Sequence, residues 1–473
     1  IFGAFLERTG ISAFFINLAN CVAGSSAGGP AKVAVISSAL CGMVSGSSVG
    51  NTVTTGAVTI PLMKRTGYPP EFAGAVEAAA STGGQIMPPI MGAAAFLMAE
   101  MTDTEYADIL VRAILPAALY FTGIFLMVHF KAKSIGLKGL DKDSLPKGKD
   151  IFPKLYLLLP LIVLVFMVIQ SGTFTMAYSA VVACLVAIVA GMADRETGSK
   201  KFVMMVPAIP LLVYALGKVY LPDVIPAFAD SLETFTLVCF GIFFVLVVAC
   251  HLISKPNMQN VGTYINALES GTKSTLSVGV ACGMAGIIAG VVTYTGLGQI
   301  LINAIVGIAG GHLIIALVLT MVCCVILGMG VPTTANYIIM ATTCAPILIQ
   351  MGLPVLAAHF FVFYFGIVAD ITPPALAAYA GSAIAKAPPM KTALNATRLA
   401  IAAFIIPYIF AYSPIMLFIG DDVNAINVIR VVITSFGGMF LIAAGMIGYM
   451  LRDLNWGVRI VCIAAGLMLI HPG

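Results

Sequence analysis

Polar residues interrupt an otherwise apolar stretch of this chain from Ala31 to Gly67. The centre of the stretch reads SGSSVGNTVTTG, and each apolar flank has about a dozen residues. A helix of that length spans roughly 20 Å at about 1.5 Å per residue, which is too short for a hydrocarbon core of about 30 Å. The pattern therefore predicts a re-entrant helical hairpin over 31–66 whose tip ends within the membrane.

A second interruption lies over 70–102, a stretch that is long enough to cross the bilayer. It contains STGGQIMPP, in which Gly83, Gly84, Pro88 and Pro89 cannot sustain a continuous helix. A broken helix at membrane depth is tolerated only where it is buried in protein or lines a cavity. We therefore predict that this broken helix lies against a functional cavity.

The remaining apolar stretches are plain spans rich in Leu, Val and Phe. One span, over 109–130, completes the first part of the chain, and a Lys-rich loop over 131–154 follows it. The spans over 155–293 carry few polar groups, so we predict that they form a scaffold. Two further spans lie in the C-terminal segment 420–473.

The hairpin and the broken helix occur twice. An offset of 285 residues aligns Asn51 with Asn336, Pro61 with Pro346, Pro69 with Pro354 and Pro88–Pro89 with Pro373–Pro374. Proline makes up about 5% of residues in proteins, so chance does not account for four matched prolines at one offset. An offset of 286 aligns Asn17 with Asn303, which indicates a one-residue length difference. The sequence therefore predicts an internal duplication.

The first copy covers 1–130, and the second covers 294–419. The second copy is divided into an arm over 295–311, a hairpin over 312–352, a broken helix over 354–386 and a span over 391–419.

Basic residues orient the two copies. The first hairpin has Lys32 at one end and Lys64 with Arg65 at the other, whereas the second hairpin has no Lys or Arg at either end. By the positive-inside rule, the Lys-rich loop and both ends of the first hairpin are cytoplasmic. The copies then insert with opposite orientation, provided that the short segments before the hairpins lie along the interface as amphipathic arms. We interpret Lys32 and Lys64 as cytoplasmic anchors rather than substrate ligands.

Composition agrees with a polytopic membrane protein. The 473 residues are 60% hydrophobic and only 9% charged, against about 25% charged in soluble domains. The net charge of +4 does not indicate a nucleic-acid partner, because the Lys residues lie in loops. The ten Cys and five His residues form no CxxC or HExxH pattern, which disfavours zinc and redox chemistry. Since no Met opens the chain, we expect an internal piece of a longer protein.

Small polar residues at the tips and breaks are candidate ligands for sodium and for an anionic substrate. Hydroxyls, amide oxygens and carbonyls released by unwound helix can coordinate sodium without a carboxylate, and a helix N-terminus at each tip suits an anion. The candidates in the first copy are Ser45, Ser47, Ser48, Asn51, Thr52, Ser81, Thr82, Gly84, Gln85 and Met87. Those in the second are Gly328, Gly330, Thr333, Thr334, Asn336, Ala369, Asp370 and Thr372.

Asp370 is the carboxylate that the sequence places at these centres. An ionisable residue inside a membrane indicates a functional site by default. The structural alternative is that Asp370 pairs with a residue of a neighbouring helix. The duplication matches Asp370 with Gln85, so the negative charge is not required in both copies. A single Ser or Thr could serve helix packing alone, but the duplicated pattern favours a binding role for Ser48, Asn51, Thr333 and Asn336.

Inverted repeats with paired hairpins and broken helices describe a secondary transporter with a site near the midplane. The segments GGPAKVAVISSALCGMVSGSSVGNT and GMGVPTTANY resemble the membrane subunit of tripartite ATP-independent periplasmic (TRAP) transporters, in particular the fused permeases of its TAXI branch. The resemblance covers residues 1 to about 415.

The resemblance implies an all-α, elevator-type sodium symporter of the ion-transporter superfamily in the bacterial or archaeal cytoplasmic (inner) membrane. It also implies a periplasmic substrate-binding protein and a small membrane subunit, separate or fused upstream, as partners. Carried over by motif, one sodium ion would lie between Ser45, Ser48, Asn51 and the loop Gly84–Pro89, which includes Pro88. The other would lie between Gly330, Thr333, Asn336 and the segment Gly366–Thr372.

We therefore predict sodium-driven uptake of a small organic acid: a carboxylate of four to six carbons, a keto acid or a glutamate-like acid. Sodium acts as the coupling ion, and no other cofactor, enzymatic activity or nucleic-acid partner is expected. The alternative is a stand-alone sodium/carboxylate symporter that needs no binding protein. A channel is a further alternative. An intramembrane hydrolase is the weakest, because it needs a Ser–His or paired-Asp arrangement and no His lies in either tip region.

Overall fold

A computed structural model describes residues 1–170, 172–196, 200–224, 231–254, 261–420 and 422–471. The described chain is helical and contains no β-strand. Eight continuous helical stretches in the described chain, three of which join consecutive helices named below, are long and apolar enough to cross a membrane. The predicted all-α polytopic class is therefore confirmed.

The first copy and its arm fold into helices α1 to α7. They are α1 (Phe2–Arg8), α2 (Ile11–Ala23), α3 (Gly29–Ser45), α4 (Ser48–Arg65), α5 (Pro70–Gly83), α6 (Ala93–Met101) and α7 (Tyr106–Ser134). The middle of the chain contains α8 (Gly148–Ile151), α9 (Leu159–Ile169), α10 (Met176–Asp194), α11 (Lys200–Met205), α12 (Ala208–Val224), α13 (Leu232–Ile253) and α14 (Val261–Tyr294). The last of these is 34 residues long and covers the end of the predicted scaffold segment 155–293.

The second copy and the C-terminal segment contain helices α15 to α24. They are α15 (Leu297–Ala309), α16 (Leu313–Leu327), α17 (Thr333–Thr343), α18 (Ala345–Gln350), α19 (Val355–Val368), α20 (Leu376–Ala385), α21 (Pro389–Leu399), α22 (Ile401–Tyr412), α23 (Ala425–Ile447) and α24 (Trp456–Ile470).

The helices form two compact units. The first holds Ile1–Asn17 and Pro146–Ser277, and the second holds Leu18–Leu145 and Val278–Gly473. In the first unit, Val182 and Val186 on α10 pack in one apolar cluster with Leu211 on α12. The second unit contains both hairpins and both broken helices, so the candidate site is described within it alone.

Backbone chemistry fixes the turn of the first hairpin. Gly46 adopts a left-handed conformation (φ 63°) and ends α3, as glycine does at many helix ends. Ser47 then caps α4, since its hydroxyl accepts a hydrogen bond from the Gly50 amide at 3.2 Å. The polar sequence after Ser47 is helical rather than unwound, and the Thr52 hydroxyl donates to the carbonyl of Ser48, four residues earlier in the same helix.

Both broken helices break at matching positions. In the first copy α5 ends at Gly83, and a cis Pro88–Pro89 bond precedes α6. In the second copy α19 ends at Val368, and a cis Pro373–Pro374 bond precedes α20. The sequence offset of 285 residues therefore corresponds to a repeated backbone geometry.

The one-residue difference between the copies lies in the hairpin tips. A Cβ atom on Gly42 would meet Gly84 and the Asn51 amide, and one on Gly328 would meet their counterparts Ala369 and Asn336. Gly42 and Gly328 are thus equivalent at an offset of 286, whereas the offset is 285 from Asn51 onwards.

The two broken helices touch backbone to backbone. A Cβ atom on Gly381 of α20 would lie 2.6 Å from the Gly74 carbonyl oxygen of α5. Small residues allow such close approach between membrane helices. This contact joins the two copies directly.

Gly381→Ala should therefore destabilise the protein, whereas the same substitution at a helical glycine with free space around it should not. We expect a loss of about 1–3 kcal/mol from overpacking, measured by thermal unfolding in detergent. Gly283→Ala is the matched control, because no described atom lies within 4 Å of its added Cβ and alanine favours a helix by about 1 kcal/mol. Equal stability of the two variants would contradict the close contact.

Candidate cation and substrate site

Asp370 lies at the break of the second broken helix, two residues after the end of α19. Its side chain is buried, and one carboxylate oxygen, Oδ2, accepts three hydrogen bonds. The donors are the Ser48 hydroxyl at 2.7 Å, the Thr333 hydroxyl at 3.0 Å and the Gln85 amide at 3.2 Å. Each donor comes from a different segment of the chain.

The three donors and Asp370 are two pairs of duplicated residues. Ser48 is the first residue of α4, and Thr333, 285 positions later, is the first residue of α17. Gln85 and Asp370 are also 285 positions apart. Both hairpin tips and both helix breaks therefore meet at one carboxylate, a convergence that the internal duplication alone did not reveal.

Two helix N-termini point their first residues at this carboxylate. The N-terminus of a helix carries a partial positive charge and free amide donors, so it favours an anionic group. The ends of α4 and α17 thus stabilise negative charge at Asp370 without a basic residue.

The two matched asparagines are held differently. Asn51 donates its amide to the carbonyl of Ser38 within the first hairpin at 2.9 Å. Asn336 donates to the carbonyl of Gly366, on the broken helix, at 3.2 Å. The duplication predicted equal roles for them, but Asn336 ties a tip to a break and Asn51 ties the two hairpin helices together.

Two buried oxygens among the candidate residues have no hydrogen-bond partner in the described chain. They are the Asn336 amide oxygen and the Ser45 hydroxyl. Buried polar atoms are nearly always satisfied, so an orphaned oxygen calls for a specific partner. Both atoms belong to the predicted sodium ligands, and an oxygen without a donor suits a cation.

The other candidates make no hydrogen bond to the Asp370 carboxylate in the described chain. Thr52 and Thr82 donate to carbonyls of their own helices, and Thr372 donates to the Val368 carbonyl at the end of α19. Gly84 packs against Gly42, and Ala369 lies beside Gly328. Met87 and Pro88 form the first break, Gly330 has a left-handed backbone, and Thr334 lies in the first turn of α17. Ser81 faces a different carboxylate, described next.

Glu77 is a second buried carboxylate, and sequence analysis omitted it. It lies on α5, is 0% exposed, and accepts hydrogen bonds from Ser38 at 2.5 Å, Ser81 at 3.2 Å, Thr55 and Thr59. Its charge within the apolar stretch 70–102 was the signal in the sequence that could have identified Glu77 as a candidate. The four hydroxyls come from three helices, so no spacing in the sequence announces them.

Duplicated hairpins and broken helices around a buried polar centre are the architecture of secondary transporters. Residues 1–219 and 224–421 match the family described as "Tripartite ATP-independent periplasmic transporter, DctM component". The chain belongs to this family of integral membrane proteins.

Individual relatives are more distant and match only in part. The chain is 26% identical over 185 residues (37% of this chain and 42% of the relative) to the C4-dicarboxylate TRAP transporter large permease protein DctM of Rhodobacter capsulatus. It is 25% identical over 195 residues (41% and 45%) to the sialic acid TRAP transporter large permease protein SiaM of Vibrio cholerae. It is 29% identical over 148 residues (30% and 22%) to the isethionate TRAP transporter permease protein DctMQ of Oleidesulfovibrio alaskensis. The chain thus spans less than half the length of each relative.

Proposed function

We propose that this chain drives uptake of a small organic acid by sodium symport, with a periplasmic binding protein that delivers the substrate. The observation that carries the proposal is the convergence of Ser48, Gln85 and Thr333 on Asp370. Membership of the TRAP family supports transport as the class of activity.

The electrostatics of Asp370 favour a bound cation. Three neutral donors and two helix ends stabilise its charge in part, but burial of an uncompensated carboxylate costs several kcal/mol. Asp370 forms no ion pair in the described chain. A sodium ion beside it would gain the carboxylate, and the free oxygens of Asn336 and Ser45 would be available as further ligands.

Cation binding also provides a route to an anionic substrate. Once sodium compensates Asp370, the first turns of α4 and α17 regain a net positive field at the tips. The substrate carboxylate then binds after sodium, which couples the two. The relatives are named for C4-dicarboxylate, sialic acid and isethionate, and all three compounds are organic anions.

The contacts between the copies support movement of the hairpins and broken helices as one block, as an elevator mechanism requires. Besides the Gly74–Gly381 contact, Lys64 of α4 donates to the carbonyl of Ala385 at the end of α20 at 2.6 Å. This lysine therefore joins the two copies in addition to any role as a cytoplasmic anchor.

Reconstitution tests the proposal. The full-length protein is placed in liposomes with an inward sodium gradient, with and without periplasmic extract, and labelled organic anions are offered in turn. We expect accumulation that requires both the gradient and the extract. Accumulation without extract would favour the stand-alone symporter, and equilibration without accumulation would indicate a channel.

A further inference from the structure

Lys32 is a buried cation at the basic end of the first hairpin. It lies in the first turn of α3 and is only 4% exposed. An ammonium group has three N–H donors. Within the described chain Lys32 uses one of them, in a 3.0 Å hydrogen bond to the Ser26 hydroxyl. The other two donors are left without an acceptor, which a solvated membrane anchor would not require.

No negative charge compensates Lys32. It forms no ion pair in the described chain, and the charged residue close enough to act on it is another cation, Lys133. The Phe125 ring faces the ammonium group, with 5.1 Å between the nitrogen and the ring centroid. Such a cation–π contact recovers only part of the desolvation cost of an isolated ammonium. The buried charge therefore indicates a bound anion.

Two more basic residues lie on the face of α7 that meets Lys32. Phe125, His129 and Lys133 follow one another at intervals of four residues, so they form one row along the helix. Lys32 and Lys133 are both within electrostatic range of His129. The row ends at Lys133, whose side chain is exposed. The positive charge thus extends from the buried ammonium to the protein surface.

Two buried polar atoms beside Lys32 lack a hydrogen-bond partner in the described chain. They are the Tyr68 hydroxyl and Nδ1 of His129. Tyr68 is 3% exposed, and its hydroxyl would lie 2.7 Å from a Cβ atom on Gly28, the residue before the first turn of α3. Buried polar atoms are nearly always paired. These two therefore indicate a partner from outside the chain at the start of α3.

The turn before α3 and the segment after α7 enclose these groups. Gly28 has a left-handed backbone (φ 72°), and a Cβ atom on it would lie 2.4 Å from the Cβ atom of Ala132 on α7. The Leu140 amide donates to the Gly24 carbonyl at 2.9 Å, which holds the segment after α7 over the turn. The N-terminus of α3 adds a positive field. The ligand would therefore bind in a preformed, positively charged enclosure.

We propose that this basic cluster binds a phosphate group. Its members are Lys32, Tyr68, His129 and Lys133. A phosphate group carries its negative charge on several strong acceptor oxygens, which match the free donors of the cluster. By the positive-inside rule this end of the hairpin is cytoplasmic, so the phosphate belongs either to a phospholipid headgroup or to free phosphate. The proposal does not rest on sodium symport.

The second copy shows that a hairpin of this kind does not need these polar groups. Lys32 corresponds to Val318 at the offset of 286, and Tyr68 corresponds to Leu353 at the offset of 285. Leu353 is buried, as Tyr68 is. Apolar side chains thus occupy both positions in the repeat whose hairpin has no basic end. The polar cluster is specific to the first copy, which favours a binding role over a folding role.

Binding of radioactive orthophosphate to the full-length protein in an uncharged detergent tests the proposal at constant ionic strength. We expect saturable binding that is at least about tenfold weaker in Lys32→Met, because this substitution removes hydrogen bonds to a charged group. Lys131→Met is the matched control. Lys131 is two residues from both His129 and Lys133, on the other side of α7, and its loss removes the same charge. This control should bind like the wild type.

A second arm distinguishes the two sources of phosphate. The same proteins are mixed with micelles that contain phosphatidylglycerol, and the phospholipid retained after repurification is counted by mass spectrometry. If a headgroup is the ligand, the wild type and Lys131→Met should retain lipid that Lys32→Met loses, without binding orthophosphate. Either source supports the site. Retention of neither ligand by the wild type, or equal binding by wild type and Lys32→Met, would overturn it.

Tyr68→Phe separates ligand binding from packing, and it serves if Lys32→Met fails to fold. The substitution removes only the unpaired hydroxyl. Without phosphate or phosphatidylglycerol, the variant should unfold at the same temperature as the wild type or at a higher one, because a buried group without a partner is lost. With the ligand that binds, the wild type should gain more stability than the variant. Equal stabilisation of both proteins by the ligand would contradict the site.

Discussion

Asp370→Asn should reduce sodium-driven uptake by at least about 100-fold. Asparagine preserves the size of the side chain and still accepts hydrogen bonds, but it removes the charge that compensates the cation. Hydrogen bonds to charged groups contribute about 1.5–3 kcal/mol each, and a loss of about 2.7 kcal/mol corresponds to 100-fold. Initial uptake rates in liposomes with an imposed sodium gradient measure the effect.

Asp422→Asn is the matched control, because Asp422 is exposed near the start of α23. It should transport like the wild type. Thermal unfolding of both variants distinguishes a lost site from a lost fold. Wild-type uptake by a folded Asp370→Asn variant would remove Asp370 from the site.

Asn336→Ala should raise the sodium concentration needed for half-maximal uptake by at least about tenfold, which corresponds to about 1.4 kcal/mol. The reason is the loss of a buried amide oxygen that has no hydrogen-bond partner in the described chain. Asn51→Ala should impair sodium dependence as well, because its amide connects the two helices of the first hairpin.

Asn303→Ala is the control for this series. Asn303 is also an asparagine that the duplication matches, with Asn17. Its side chain, however, is exposed on α15 and bonds only to Gln299 in the described chain. Its sodium dependence should equal that of the wild type. An unchanged sodium dependence in both Asn336→Ala and Asn51→Ala would refute the sodium-site assignment.

Local chemistry made the hairpins and breaks predictable. Glycine and proline act on the backbone at their own positions. The tip SGSSVGNTVTTG, which contains Gly46, therefore marks a turn, and Pro88–Pro89 and Pro373–Pro374 mark the breaks. The offset of 285 residues then related the two sets of elements. The structure places turns and breaks at these residues.

The partners across the site could not be predicted in the same way. Sequence analysis assigned each sodium ion to residues of one copy, whereas Ser48 and Gln85 of the first copy bond to Asp370 of the second. Which helices cross is decided by packing, for example at Gly74 and Gly381, whose small size permits contact but does not name the partner. The two-ion assignment therefore stays a prediction.

Glu77 shows a different limit. The row of hydroxyl residues on α4 is visible in the sequence. What Thr55 and Thr59 bind is not, because their partner Glu77 lies on α5. The duplication draws attention to residues that the copies share, and Glu77 belongs to the residues in which they differ. Differences between internal repeats are thus as informative as matches.

Binding of radioactive sodium to the purified, reconstituted protein without substrate tests the sodium site at Asp370 most directly. We expect saturable binding that is equal in the wild type and Asp422→Asn and at least about tenfold weaker in Asp370→Asn, a difference of about 1.4 kcal/mol. Equal affinity in Asp370→Asn, or no saturable binding in the wild type, would contradict a sodium site at Asp370.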